Sequence, residues 1–139
     1  VVDLRRVSRQ PTWLLSRANA RAQRILHGAF ARAGVRGYHV RVLAALDEHG
    51  QASQADVGRW TEIDRSDVVG AVNELVARGY VDRTPDPHDR RRNVIAITAA
   101  GREALAELEV VLAEVQATVL APLTDRERAT LVRLLRKLG

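Results

Sequence analysis

Apolar positions along the chain recur at two spacings, one helical and one alternating, and the switch between them sets the element order. Over 11–33, Leu14, Leu15, Ala18, Ala22, Ile25, Leu26, Ala29 and Phe30 repeat at helical spacing. Pro11 suits the first turn of that helix, and Gly34 and Gly37 end the run. A second helix is predicted over 38–48, with Val42, Leu43 and Leu46 apolar and Gly50 as its stop. A short third helix begins at Ser53, where Ser53-Gln54-Ala55-Asp56 has the form of a capping box with Asp in place of Glu. Thr61 and Glu62 turn the chain. Asp64 is expected to cap a fourth helix over 65–78, whose stripe is Val68, Val72, Leu75 and Val76 and whose closing residue is Gly79.

The period then changes. Residues 80–84 and 94–98 read as short strands, the second rich in β-branched residues. Between them Pro85 and Pro87 prevent helix and are expected to break regular pairing. The intervening residues are polar and charged, as a hairpin tip should be. Thr98 is placed to cap a fifth helix over 99–120, with Leu105, Leu108, Val111, Leu112, Val115, Val119 and Leu120 apolar. A sixth helix starts at Thr124, where Thr124-Asp125-Arg126-Glu127 is a full capping box, and Leu131, Leu134, Leu135 and Leu138 form its apolar face. The fold class is mainly α with a small β-hairpin. The middle of the order is a helix-turn-helix followed by a wing, in which the second helix can lie in a DNA major groove.

Composition adjusts this picture modestly. The chain has 139 residues, which fits one domain, and is 46% hydrophobic but only 4% aromatic. The net charge of +5 favours a polyanionic partner. Arginine dominates, since Lys137 is the only lysine. Arginine suits bidentate contacts to phosphate and guanine, although a GC-rich genome has the same effect on composition. With no cysteine, disulfides, thiolate metal sites and cysteine redox sensing are excluded. His27, His39, His49 and His88 are dispersed, with no ligand-spaced pair, so no metal or other cofactor is expected. No Gly-x-Ser-x-Gly elbow, phosphate-binding glycine loop or HExxH motif is present, which argues against an enzyme. No apolar run approaches the ~20 residues of a membrane span, and no signal-peptide pattern opens the sequence. A soluble cytoplasmic protein is the expectation.

The segment from Asp86 to Gly101 resembles the wing of the MarR family of transcriptional regulators. That wing carries an Asp-x-Arg core, a strand and a Leu-Thr-x-x-Gly helix start. Here the counterparts are Asp89-Arg90-Arg91 and Ile97-Thr98-Ala99-Ala100-Gly101, with Ile for Leu. The stretch from Asn73 to Val81 resembles the family's exit from the recognition helix. The resemblance implies a homodimer with dimerisation helices at about 11–36 and 99–139 around a winged helix-turn-helix at about 38–98. It also implies a repressor on a pseudo-palindromic double-stranded operator. The residues agree in part with a dimer: the helix at 99–120 is too apolar to cover one small domain, so a partner helix or an intramolecular bundle must bury its second stripe.

On the recognition helix Arg65, Ser66, Val69, Gly70 and Asn73 lie opposite or beside the apolar stripe. Arg65 can pair with guanine, and Asn73 with a phosphate or an adenine. Asp67 either reads cytosine or supplies negative charge at the helix start. Ser53 and Gln54 open the preceding helix, where backbone amides favour a phosphate. Arg90, Arg91 and Arg92 cannot all face one groove, because side chains alternate along a strand. By the family pattern Arg91 stands at the tip, braced by Asp89, and enters the minor groove, while Arg90 and Arg92 face phosphate or solvent. Many relatives bind a small aromatic or organic acid, and Trp13, Arg17, Tyr38, His39 and Arg41 are candidates for such a pocket. The alternative is that Trp13 packs in the core or an interface and that His39 is a satisfied or exposed histidine. A winged helix that docks on protein without reading DNA is the competing function, which the triple arginine disfavours.

Overall fold

The computed structural model describes residues 4–139. Its elements run α1 (Arg5–Ser8), α2 (Pro11–Arg32), α3 (Gly37–His49), β1 (Ala52–Ser53), α4 (Gln54–Thr61), α5 (Arg65–Ala77), β2 (Val81–Pro85), β3 (Asn93–Ile97), α6 (Ala99–Val119) and α7 (Asp125–Leu138). They fall into two compact units. One comprises Phe30–Val111, and the other joins the N-terminal segment through Ala29 to Leu112–Gly139.

The Phe30–Val111 unit has the core. Leu43 and Leu46 of α3, Val57 of α4, Val68, Val72 and Leu75 of α5, Val81 of β2 and Ile95 of β3 are all essentially solvent-free. The periodicity explains these positions: the α5 residues fall three or four apart on one face. The sheet has order β1-β3-β2 and is antiparallel throughout. Val81 pairs with Ile97, Arg83 with Ile95 and Pro85 with Asn93, while Ala52 pairs with Ile95 from the other side. The β-hairpin expected from sequence is present as β2 and β3, and the two-residue β1 adds a third strand beside β3. Pro85 does not break pairing either. It ends β2, an edge strand, where a missing N–H on the open side costs little.

Helix starts are settled locally. Ser53 Oγ accepts from the Asp56 amide (3.1 Å) and the Asp56 carboxylate accepts from the Ser53 amide (3.1 Å). Thr124 and Glu127 repeat this box at α7. Asp64 differs: it occupies the N-cap of α5 but makes no side-chain cap bond, so its charge alone favours the positive helix end. Gly37 opens α3 instead of ending the first long helix. Gly101 is required where it stands, because a Cβ there would lie 2.2 Å from the Tyr80 carbonyl oxygen. Thr98 pins the same junction. Its hydroxyl donates to the Gly79 carbonyl (2.7 Å) and accepts from the Gly101 amide (3.0 Å).

The other unit is built from α1, most of α2, the end of α6 and α7. Val115 is buried there, and Arg21 Nη1 donates to the Val119 carbonyl (3.1 Å). Leu4, Val7, Leu14, Leu15, Val132, Leu134, Leu135 and Leu138 are exposed, Leu138 at 72%. This relocates the surplus apolar surface predicted for 99–120. Leu105, Leu108 and Val115 of α6 are buried, Val111, Leu112, Val119 and Leu120 are half-buried, and only Val110 is an exposed large apolar residue of that helix. The unsatisfied faces lie on α1, α2 and α7. Among the described residues no helix is long and apolar enough to cross a membrane.

Candidate nucleic-acid interface

A groove of about 640 Å³ runs across one face of the Phe30–Val111 unit. Its walls come from the start of α4, the start of α5 and the wing. Of the residues expected to touch DNA, it collects Ser53, Gln54, Arg65, Val69, Arg91 and Arg92, and it adds Arg59 and Asn93. Four arginines line it and no carboxylate does. Arg59 is paired with Asp56 at the groove edge. Arg65, Arg91 and Arg92 make no ion pair among the described residues, so their charge is directed at solvent. Ser66, Asn73 and Arg90 lie outside the groove lining. All three are exposed.

The wing tip is shaped by short polar side chains. Asp86 Oδ1 accepts from the His88 amide (2.8 Å) and Asp89 Oδ1 from the Arg91 amide (3.1 Å). The Arg92 amide reaches the Asp89 carbonyl (3.0 Å), and the Asp86 amide reaches the Arg92 carbonyl (2.8 Å). These are Asx-type turns, and they hold the backbone of Arg91 without using its guanidinium. Ser53 is changed from its expected role. Its amide is taken by the Asp56 carboxylate, while its hydroxyl accepts from the Asp56 amide and keeps its O–H to donate, so phosphate would meet that O–H and the Gln54 and Ala55 amides, which have no partner within the helix.

Helix α5 is tied to the start of α3 by an ion cluster in which His39 is buried while Arg36 and Glu74 are exposed. His39 is 1% exposed, and both ring nitrogens are used. Nδ1 accepts from the Arg36 amide (3.1 Å), which makes Nε2 the protonated nitrogen, donating to Glu74 at 2.5 Å. Arg36 pairs with the same Glu74 carboxylate. Burial pushes the His39 pKa below the ordinary histidine value, outweighing the Glu74 carboxylate that raises it. Arg36 first, then His39, hold the Glu74 carboxyl below the usual range. His39 therefore has no free nitrogen for an effector and is a satisfied core histidine. Asp67 lies in the first turn of α5, where its charge also acts on Arg36.

The remaining pocket candidates divide between the units. Trp13 and Arg17 lie on α2 in one unit. Tyr38 and Arg41 lie on α3 in the other, with the Arg41 guanidinium 5.2 Å from the Tyr38 ring centroid and donating to the Thr61 carbonyl (3.2 Å). The Trp13 indole N–H is enclosed without an acceptor among the described residues. No cluster of three or more metal-ligating side chains occurs among the described residues. Sequence reasoning missed Arg59, Arg83, Arg36 and Glu74. Arg59 and Arg83 look like ordinary solvated charges in sequence. The Glu74 pairing joins residues 35 or more apart, and no local pattern carries it.

Comparison with known proteins places this geometry. The sequence model of the MarR family matches residues 33–92, which span α3 to the wing tip. The repressor NicR of Pseudomonas putida is 33% identical over 96 residues, covering 69% of this chain and 61% of NicR. Among solved structures, BpsR of Bordetella bronchiseptica superposes with a TM-score of 0.81 at 31% identity over 94% of both chains. Its DNA binding is described as regulated by 6-hydroxynicotinic acid. PcaV of Streptomyces coelicolor, solved with its natural ligand, superposes with a TM-score of 0.77 at 28% identity, covering 99% of this chain and 95% of PcaV. With its helix-turn-helix, its three-stranded wing and these relatives, the chain belongs to the MarR family of DNA-binding transcriptional regulators.

Proposed function

We propose that the chain is a repressor that binds a pseudo-palindromic double-stranded operator as a homodimer and leaves it when a small aromatic acid binds. The observation that carries the DNA contact is the groove with four arginines and no carboxylate. A phosphate backbone fits such a surface, while a protein partner would have to neutralise the three arginines, Arg65, Arg91 and Arg92, that have no ion pair among the described residues. Arg65 and Val69 reach base edges from the start of α5, Arg91 enters the minor groove, and Arg90 and Arg92 flank it on phosphate.

Arg91→Ala is expected to weaken operator binding by roughly 1–3 kcal/mol in an anisotropy titration. Unchanged affinity would remove Arg91 from the minor groove. Wild-type log affinity should fall steeply with log salt, and a flat response would count against DNA binding itself.

The dimer reading is supported by the exposed apolar side chains of this unit, Val7 of α1, Leu14 and Leu15 of α2 and Val132, Leu134, Leu135 and Leu138 of α7, which the monomer leaves uncovered. Sedimentation should give twice the chain mass at micromolar concentration. The effector reading is supported by the regulation described for BpsR and the ligand of PcaV. The acceptor-less Trp13 N–H also calls for an oxygen from a ligand. Titration with 6-hydroxynicotinate while following release of labelled DNA tests it directly, and no release at saturating acid rejects this class of effector.

A further inference from the structure

Arg83 stands on β2 at a register position that faces the core. It pairs with Ile95, and Val81, two residues away on the same face, is fully buried. Its side chain escapes burial by running out over α5, where Nη1 donates to Asn73 Oδ1 at 2.6 Å. A guanidinium has no acceptor, so it must meet the oxygen side of the amide, and the orientation of Asn73 is thereby determined. An asparagine that reads adenine needs that oxygen to accept from the N6 amine and its NH2 to donate to N7. Asn73 has already given one of the oxygen's two lone pairs to Arg83, which turns the amide towards β2. What the pair offers to solvent is chiefly donors: the Asn73 NH2 and the remaining N–H groups of Arg83. Both residues are exposed, and no carboxylate pairs with Arg83 among the described residues.

Position along α5 fits the same conclusion. Arg65, Val69 and Asn73 follow at intervals of four, and the first two line the arginine groove. Asn73 lies about 12 Å further along the axis than Arg65. Base edges are met by the N-terminal turns of a recognition helix, and its later turns rise towards the DNA backbone.

We propose that Arg83 and Asn73 form a phosphate clamp, in which Arg83 contacts one operator phosphate and withdraws Asn73 from base readout. The proposal rests on the DNA-binding reading above. It is tested by anisotropy at several salt concentrations, using a duplex selected from a randomised pool with the wild-type protein and a scrambled duplex of equal length. Arg83→Gln should weaken binding to both duplexes by about tenfold and lower the slope of log affinity against log salt by about 0.9 per bound protomer. Arg83→Lys keeps the charge and should keep the slope. Asn73→Ala should weaken both duplexes equally. An unchanged slope in Arg83→Gln beside a steep wild-type slope overturns the clamp and leaves the DNA reading intact. Loss confined to the selected duplex in Asn73→Ala overturns the withdrawal from base readout. A wild type with no salt-sensitive binding overturns the DNA reading and the clamp together.

Discussion

The two units solve the same burial problem differently. The Phe30–Val111 unit surrounds Leu43, Leu46, Leu75 and Ile95 with its own helices and sheet, so its large apolar side chains are almost all enclosed. The unit of α1, most of α2, the end of α6 and α7 leaves Leu14 and Leu15 of α2 and Leu134, Leu135 and Leu138 of the amphipathic α7 open to solvent. One unit encloses its apolar side chains and the other leaves many of them open. On the homodimer reading proposed above, the difference separates tasks: a DNA-reading surface keeps its shape when free, whereas an assembling surface stays available.

The sharpest way to break this comparison is to make matched changes in both units. Leu46→Ala should cost roughly 2–5 kcal/mol of unfolding free energy at any protein concentration, as burial predicts. Leu135→Glu combined with Leu138→Glu should leave the melting of the Phe30–Val111 unit near wild type. It should abolish the concentration dependence of the melting temperature and yield monomer in sedimentation. If the paired glutamates still give dimer, the open leucines are not the assembling surface.

A smaller effect tests how firmly the self-contained unit is held. Glu62, in the turn between α4 and α5, adopts a left-handed conformation with φ 55° and ψ 34°. Such a backbone costs a non-glycine residue about 1 kcal/mol and persists only where surrounding packing imposes it. Glu62→Gly should raise stability by up to that amount in denaturant melts, less the added freedom of the unfolded chain. A destabilised variant would mean that the Glu62 side chain contributes more than its strain removes.

The mildest perturbation is pH. His39 has a pKa lowered by burial, so the unfolded chain binds its proton more readily than the folded one. Stability from this group is therefore full above the unfolded value of about 6.5 and declines as pH falls from there towards the folded pKa. The loss should be located in the Phe30–Val111 unit and removed by His39→Gln. A decline below pH 6.5 of equal size in His39→Gln would assign it elsewhere.

Legibility followed the range of the interaction. Ser53 with Asp56, Thr124 with Glu127, and Thr98 with Gly101 are separated by three residues, and their cap bonds are written in the local sequence. The strand β1 was not visible, because two residues carry no alternation and exist as a strand only through pairing with Val94 and Ile95. Asp64 had the right residue type at the right position and still made no cap bond. Of the residues that line the groove, Arg65 and Arg91 stand at positions the sequence singles out. Arg83 was not legible, since Val-Asp-Arg-Thr-Pro shows no pattern marking one charge as inward, and its partner Asn73 is fixed only by packing of β2 on α5. The apolar excess was sensed from composition but assigned to α6, because sequence shows how apolar a helix is and not which neighbours cover it.

The wing tip has a consequence in time. Asp86 and Asp89 hold residues 86–92 through hydrogen bonds to the amides of His88 and Arg91, with two further backbone bonds across the loop. Ordering a loose loop costs about 1 kcal/mol or more per residue. Here that ordering is complete before any duplex arrives. On the DNA-binding reading proposed above, a duplex meets an Arg91 backbone that is already ordered, so association is set by charge-steered collision and not by a loop searching its conformations.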